Sequence, residues 1–142
     1  MKPRTGRRDV QTFLADVYDR VQALERLVQG TPMMPFRTAL GGPGSVASLI
    51  NAGATEYRGH YISNDSGAFV YVHLYDKASA PVAGDPIVVT IGVPFESGAN
   101  QEYSEGVETF DSGLAMSISS SPSTIASVPS GTVVATIYYS EA

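Results

Sequence analysis

The chain of 142 residues contains no cysteine. That excludes disulfides, a thiolate metal site and a cysteine nucleophile, and it fits an oxidising or a reducing compartment equally well. The apolar runs are too short to cross a bilayer, so no membrane partner is expected. The charged N-terminus lacks the apolar core of a signal peptide. Histidine is scarce, with His60 and His73 the only two. Both are expected on neighbouring strands, hydrogen-bonded on an outer face. Two imidazoles and a carboxylate suit zinc, but no His-x-x-x-His or comparable spacing is present. There is no Gly-x-Ser-x-Gly elbow, and Ser66-Gly67 and Ser112-Gly113 read as turns. Neither histidine has an obvious carboxylate partner. An enzyme is therefore not expected, and no catalytic residue, cofactor or metal is implied. Glu102, Glu105, Glu108 and Asp111 recur every third residue. Oxygen ligands on a loop suit Ca2+, yet the Asp-x-Asp-x-Asp-Gly pattern is missing and a solvated acidic face is the expectation.

The charge that is present is unevenly placed. The net charge is −5, but Lys2, Arg4, Arg7 and Arg8 put +4 on the first eight residues, whereas the chain from Thr31 onward carries −7. Residues 1–8 thus read as a basic arm. It either docks on an acidic surface, another protein in preference to nucleic acid, or is an ordinary solvated terminus.

Residues 9–30 read as a helix. Asp9 can cap its first turn, Gly30 stands at the C-cap position, and Pro32 forbids continuation. Val10, Leu14, Val17, Val21, Leu24 and Val28 are spaced four, three, four, three and four residues apart, which is the heptad rule. Val10, Val17 and Leu24 fall in one core column (d), and Leu14, Val21 and Val28 in the other (a). Arg20 at g and Glu25 at the following e have the spacing of an ion pair between parallel helices. Phe13 and Leu27, also at g, widen the apolar face. A wide seam with β-branched residues at d points to a homotrimer. Three heptads are marginal for an isolated coiled coil, so the alternative is docking against the protein's own β domain or another protein's groove.

Residues 31–44 read as a linker rich in proline and glycine. The remainder, 45–142, shows about seven strands with period-two alternation cut by turns. They fall at Ser45–Asn51, Glu56–Ser63, Ala68–Tyr75, Pro86–Val93, Val107–Phe110, Gly113–Ser119 and Thr132–Tyr139. Phe95–Tyr103 reads as a polar loop, and Ser119–Gly131 as a long loop rich in serine and proline. The fold class is mainly β: an antiparallel sandwich or jelly-roll-like domain preceded by one N-terminal helix. On the strand Ala68–Tyr75, Phe69, Tyr71, His73 and Tyr75 face away from Val70, Val72 and Leu74. Three readings compete for this aromatic row: cover by a loop such as Ser119–Gly131, an interface between subunits, or a platform for sugar rings. The interface is favoured, because the helix already argues for self-association.

A string of short motifs adds to this. Ile62-Ser63-Asn64 is followed by Leu74-Tyr75-Asp76-Lys77-Ala78 with Ala80-Pro81. Gly84-Asp85-Pro86 leads to Val89-Thr90 and Val93-Pro94. Gly106, Phe110, Ser112-Gly113-Leu114-Ala115 and the run from Val133 to Tyr138 complete the series. In order and spacing, the stretch from Tyr57 to Tyr138 resembles a family of small structural proteins of tailed bacteriophages and prophages. The resemblance implies a non-enzymatic component of the virion, such as a head decoration, a fibre, or a neck or tail piece, assembled in the bacterial host cytoplasm. Its partners would be copies of itself and other virion proteins, with host-surface glycan as the alternative ligand. The N-terminal helix lies outside the matched stretch and would decide where the module is attached.

Overall fold

The computed structural model describes residues 6–29 and 32–142, and within the helix the side chains of residues 10–22 and 24. The chain divides into two compact units at Pro32/Met33. The first contains a single helix, α1, Gly6–Gln29. It begins three residues before the expected cap, so Asp9 lies inside its first turn and the backbone of Arg7 and Arg8 is helical. A carboxylate anywhere in that turn favours the free N–H groups and the positive end of the dipole, which is why the sequence does not fix the first residue. Lys2, Arg4 and the C-cap assigned to Gly30 lie outside the described residues.

The second unit has nine strands: β1 Met34–Gly41, β2 Val46–Ala52, β3 Thr55–Asn64, β4 Val70–Asp76, β5 Val89–Val93, β6 Ser97–Glu102, β7 Glu108–Phe110, β8 Gly113–Ser119 and β9 Thr132–Glu141. They form two antiparallel sheets, β1-β9-β3-β6 with β7 also on β3, and β2-β8-β4-β5. The pairs β1·β9, β2·β8, β3·β6 and β4·β5 are successive rungs of one long hairpin, and alternate rungs lie in opposite sheets. A hairpin rolled up in this way is a jelly roll.

Two segments depart from the sequence expectation. The expected linker 31–44 contains β1. Its apolar residues Met34, Phe36 and Leu40 alternate, but Pro35 and the following glycines mask the pattern. Pro35 is tolerated because β1 is an edge strand. The expected loop 95–103 contains β6, whose side chains are almost all exposed. A solvated edge strand needs no apolar alternation, and polar residues there discourage edge-to-edge aggregation.

β6 and β7 are one edge strand interrupted. β6 pairs with Gly59–Asn64 of β3 and β7 with Thr55–Tyr57, both antiparallel. Residues 103–107 loop out opposite Arg58, where the β3–β9 register also slips between Tyr57 and Gly59. Gly59 has φ +133, and a Cβ there would collide with the carbonyl oxygen of Gln101, so the bulge requires glycine. Arg58 fixes the excursion, its Nε donating to the Tyr103 carbonyl (3.2 Å) and an Nη to that of Ser104 (2.5 Å).

The core lies between the sheets. Leu40, Tyr57, Ile62, Phe110, Val133, Ala135 and Ile137 come from the first sheet, and Val70, Val72, Leu74, Val93, Leu114, Met116 and Ile118 from the second. Asn64 joins the layers. It is fully buried, its Nδ2 donates to the carbonyls of Ala68 (2.9 Å), Val93 (3.0 Å) and Pro94 (3.0 Å), and its Oδ1 accepts from Ser66 N–H (3.0 Å) and Oγ–H (2.6 Å). Among the described residues no buried side-chain polar atom lacks a partner.

Candidate functional surfaces

The helix carries the first candidate surface. Val10, Leu14, Val17, Val21 and Leu24 are 57%, 59%, 39%, 46% and 59% exposed, and Phe13 is 65% exposed. The side chain of Val28 lies outside the described residues. Apolar side chains repeating along one stripe of a 24-residue helix are not the scattered exposure of an ordinary surface. Within the single chain the Arg20 guanidinium contacts Asp16 one turn earlier at 3.2 Å, an i,i+4 pair along the helix. The side chain of Glu25 lies outside the described residues.

The aromatic row is the second candidate, and the structure divides it. Phe69 precedes β4 and is 43% exposed, Tyr71 is half-buried, and His73 and Tyr75 are buried. The loop after β8 covers the far end. His73 Nε2 donates to the Ser121 carbonyl (2.8 Å), which leaves Nδ1 to accept from the Thr90 hydroxyl (3.2 Å). Tyr75 Oη and Ser117 Oγ share a hydrogen bond of 2.9 Å. Ser119 Oγ donates to the Thr124 carbonyl (2.6 Å) and accepts from Ala126 N–H (2.8 Å), pinning the loop. Burial pushes the His73 pKa down, partly offset by its backbone hydrogen bonds, and pushes the Tyr75 pKa up. The row of four rings is thus reduced to an exposed Phe69 beside a half-buried Tyr71. Phe69 and Tyr71 lie 5.0 Å apart at 32° over Gly92 of β5, where a Cβ would stand only 2.9 Å from the Phe69 ring.

The histidines do not form a site. His60 lies on β3 in one sheet and His73 on β4 in the other, not on neighbouring strands, and both are buried. The bulge at Arg58 places Tyr57 and His60, three residues apart, on the same face. Their rings are parallel within 2°, with centroids 6.2 Å apart. The Tyr57 hydroxyl and His60 Nδ1 share a hydrogen bond. Desolvation raises the Tyr57 pKa, with Tyr103 adding to it, and lowers that of His60, so the pair is neutral and structural. Glu102, Glu105, Glu108 and Asp111 are all exposed, spread from the end of β6 across the excursion to the end of β7. Among the described residues no three His, Asp or Glu side chains converge to hold a metal ion.

The motif residues from Tyr57 to Tyr138 are mostly builders of turns and core. Asn64 ties the sheets together. Asp76 Oδ1 accepts from Ser112 N–H (2.8 Å). Lys77 Nζ donates to Asp85 Oδ2 (2.6 Å), which also accepts from Val82 N–H (2.8 Å). These two donors hold the Asp85 carboxyl below its usual pKa. The motifs therefore hold turns and core of the sandwich together.

A third surface was not foreseen. The outer face of the β3–β6 pair has a groove of about 380 Å3 lined by Tyr61, Ser63, Asp65, Glu96, Ser97, Gly98 and Asn100 with neighbouring backbone. Only the exposed Tyr61, in a strand whose next residue is core, hints at it in the sequence.

No known protein family matches the chain, and no curated protein is similar to it in sequence. Among solved structures it is similar to a protein of Bacillus endospore appendages, described as disulfide-linked pili, at TM-score 0.39 and 16% identity over 80% of this chain and 92% of that one. It is also similar to the Tobacco streak virus coat protein, at TM-score 0.37 and 10% identity over 77% and 86% of the two chains. A third is Aeromonas hydrophila PliG, a periplasmic inhibitor of g-type lysozyme, at TM-score 0.34 and 10% identity over 78% and 87%.

Proposed function

We propose that this chain is a non-enzymatic structural component of a tailed-phage virion, assembled as an oligomer through α1 and displaying the jelly-roll unit. The observation that carries this reading is the exposed heptad stripe Val10, Leu14, Val17, Val21 and Leu24. A stripe of that length and regularity is stable in water only when covered, and copies of itself are the partner whose period matches. Valine at d favours three strands, so the assembly is a homotrimer. The ordered motifs from Tyr57 to Tyr138 support the virion as its location, and Lys2, Arg4, Arg7 and Arg8 provide positive charge for an acidic neighbour in the particle. Particles assembled with the full chain or with residues 33–142 alone test the reading. The full chain co-purifies with particles, and the truncated one stays soluble, folded and unincorporated. Normal incorporation of 33–142 would overturn the role given to the helix.

A second reading, recognition of host-surface carbohydrate, is favoured by the ring pair of exposed Phe69 and half-buried Tyr71. It predicts that the isolated sandwich binds cells and that Tyr71→Ala removes the binding.

A further inference from the structure

The groove on the outer face of the β3–β6 pair has the composition of a polyol site, and we propose that it binds a pyranose without negative charge. The register places its parts. Tyr61 pairs with Asn100 across the strands, and Ser63 pairs with Gly98. Tyr61 is 50% exposed although His60 and Ile62 on either side of it are buried, so its ring stands on the outer face as one wall. Gly98 leaves the floor open to the backbone. A side chain there would crowd the Ile62 carbonyl oxygen at 3.0 Å and fill the groove. Asp65 and Glu96, both exposed, line the groove with this pair.

Each part matches one feature of a sugar. An aromatic face packs against the C–H face of a pyranose, as aromatic rings do with other apolar surfaces. Carboxylates accept two hydroxyls each, and the Asn100 amide both donates and accepts. The volume of about 380 Å3 falls within the roughly 300–1,000 Å3 of small-ligand sites. Two carboxylates and no cation line it, which excludes phosphorylated or carboxylated sugars by repulsion.

One backbone feature points the same way. Glu96 has φ +53, and it is the only non-glycine residue with positive φ among the described residues. A glutamate in this conformation is strained, where glycine or asparagine would not be. Strain of this kind persists where a side chain is needed in place. The loop keeps a glutamate at the cost of stability, and the groove gives that glutamate a use.

The inference is independent of the assembly role, and its failure would leave that role intact. It is tested on the full chain by following backbone amide shifts on titration with methyl glucoside, methyl galactoside, methyl mannoside and N-acetylglucosamine oligomers. At least one should shift the amides of Tyr61, Ser63 and Asn100. Tyr61→Ala should weaken that binding at least tenfold, and Tyr71→Ala should leave it unchanged. Glu96→Gly should raise the melting temperature while weakening binding several-fold. No shifts with any of these sugars, shifts centred on Phe69 and Tyr71, or Glu96→Gly retaining full affinity would each overturn the proposal.

Discussion

The helix and the sandwich handle their apolar surface in opposite ways. The sandwich encloses its own: Val70, Val72, Leu74, Val93, Phe110, Leu114, Met116 and Ile118 are all completely buried. The helix leaves a regular apolar stripe in water. A unit of 110 residues with its own two-layer core has no need of the helix to fold. A 24-residue helix with no core of its own gains most of its stability from whatever covers its stripe. On the proposed reading stability belongs to one unit and assembly to the other, and substitutions can be chosen to act on either alone.

The largest effect is expected in the helix. Val21→Asp puts a charge in a column that assembly would desolvate, at several kcal/mol per chain unless the charge stays in water. Sedimentation should show a monomer at micromolar concentration with the melting temperature of the sandwich unchanged. The mirror experiment acts on the sandwich. Asn64→Ala orphans the Val93 carbonyl of the facing sheet and the groups of Ser66, Ala68 and Pro94 in the adjoining turns, at about 1–3 kcal/mol for each buried group left unpaired. Urea unfolding of residues 33–142 should show a loss of about 3 kcal/mol or more by the same accounting, with oligomerisation unaffected wherever the chain stays folded.

pH separates the two units more gently. Both histidines lie in the sandwich, and burial lowers the pKa of each. The folded state therefore binds fewer protons than the unfolded one. This stability is fully present above the unfolded value near 6.5 and is lost as pH falls from there through the lowered folded values, by at most about 1.4 kcal/mol per pH unit per histidine. Thermal melts should show the sandwich weakening below about pH 6.5, and His73→Gln should flatten that slope. The helix has no histidine, so its association should hold constant across the same interval. The smallest effect is expected from Arg20→Glu. The Arg20–Asp16 pair has side chains 77% and 59% exposed and is worth a few tenths of a kcal/mol. Disassembly by this change alone, in a sedimentation experiment, would show that Arg20 works between helices and not along one.

Much of the sandwich was legible because its inner positions repeat with period two between clear turns. Val70-x-Val72-x-Leu74 and Leu114-x-Met116-x-Ile118 are examples. The hidden strands were the edges. β1 carries Pro35 and ends in glycine, and β6 is solvated on nearly every side chain, so neither needs the alternation that marks an inner strand. The aromatic row was half legible. Period two put Phe69, Tyr71, His73 and Tyr75 on one face. Which of them a distant loop would cover depended on Ser121 reaching back to His73 and on Ser119 pinning the loop, contacts that no local pattern encodes. Of the Tyr61 groove only Tyr61 itself was legible, since Glu96, Gly98 and Asn100 come together with Tyr61 and Ser63 only through the β3–β6 register. For the same reason the interrupted edge strand opposite Arg58 looks, in sequence, like a loop and a short strand.

On the proposed reading α1 assembles the chain and the sandwich folds alone. Light scattering coupled to size-exclusion chromatography, on the full chain and on residues 33–142 at equal micromolar concentration, tests it most directly. The full chain is predicted to run as a trimer and residues 33–142 as a folded monomer. A monomeric full chain, or a trimer that survives loss of the helix, would contradict it.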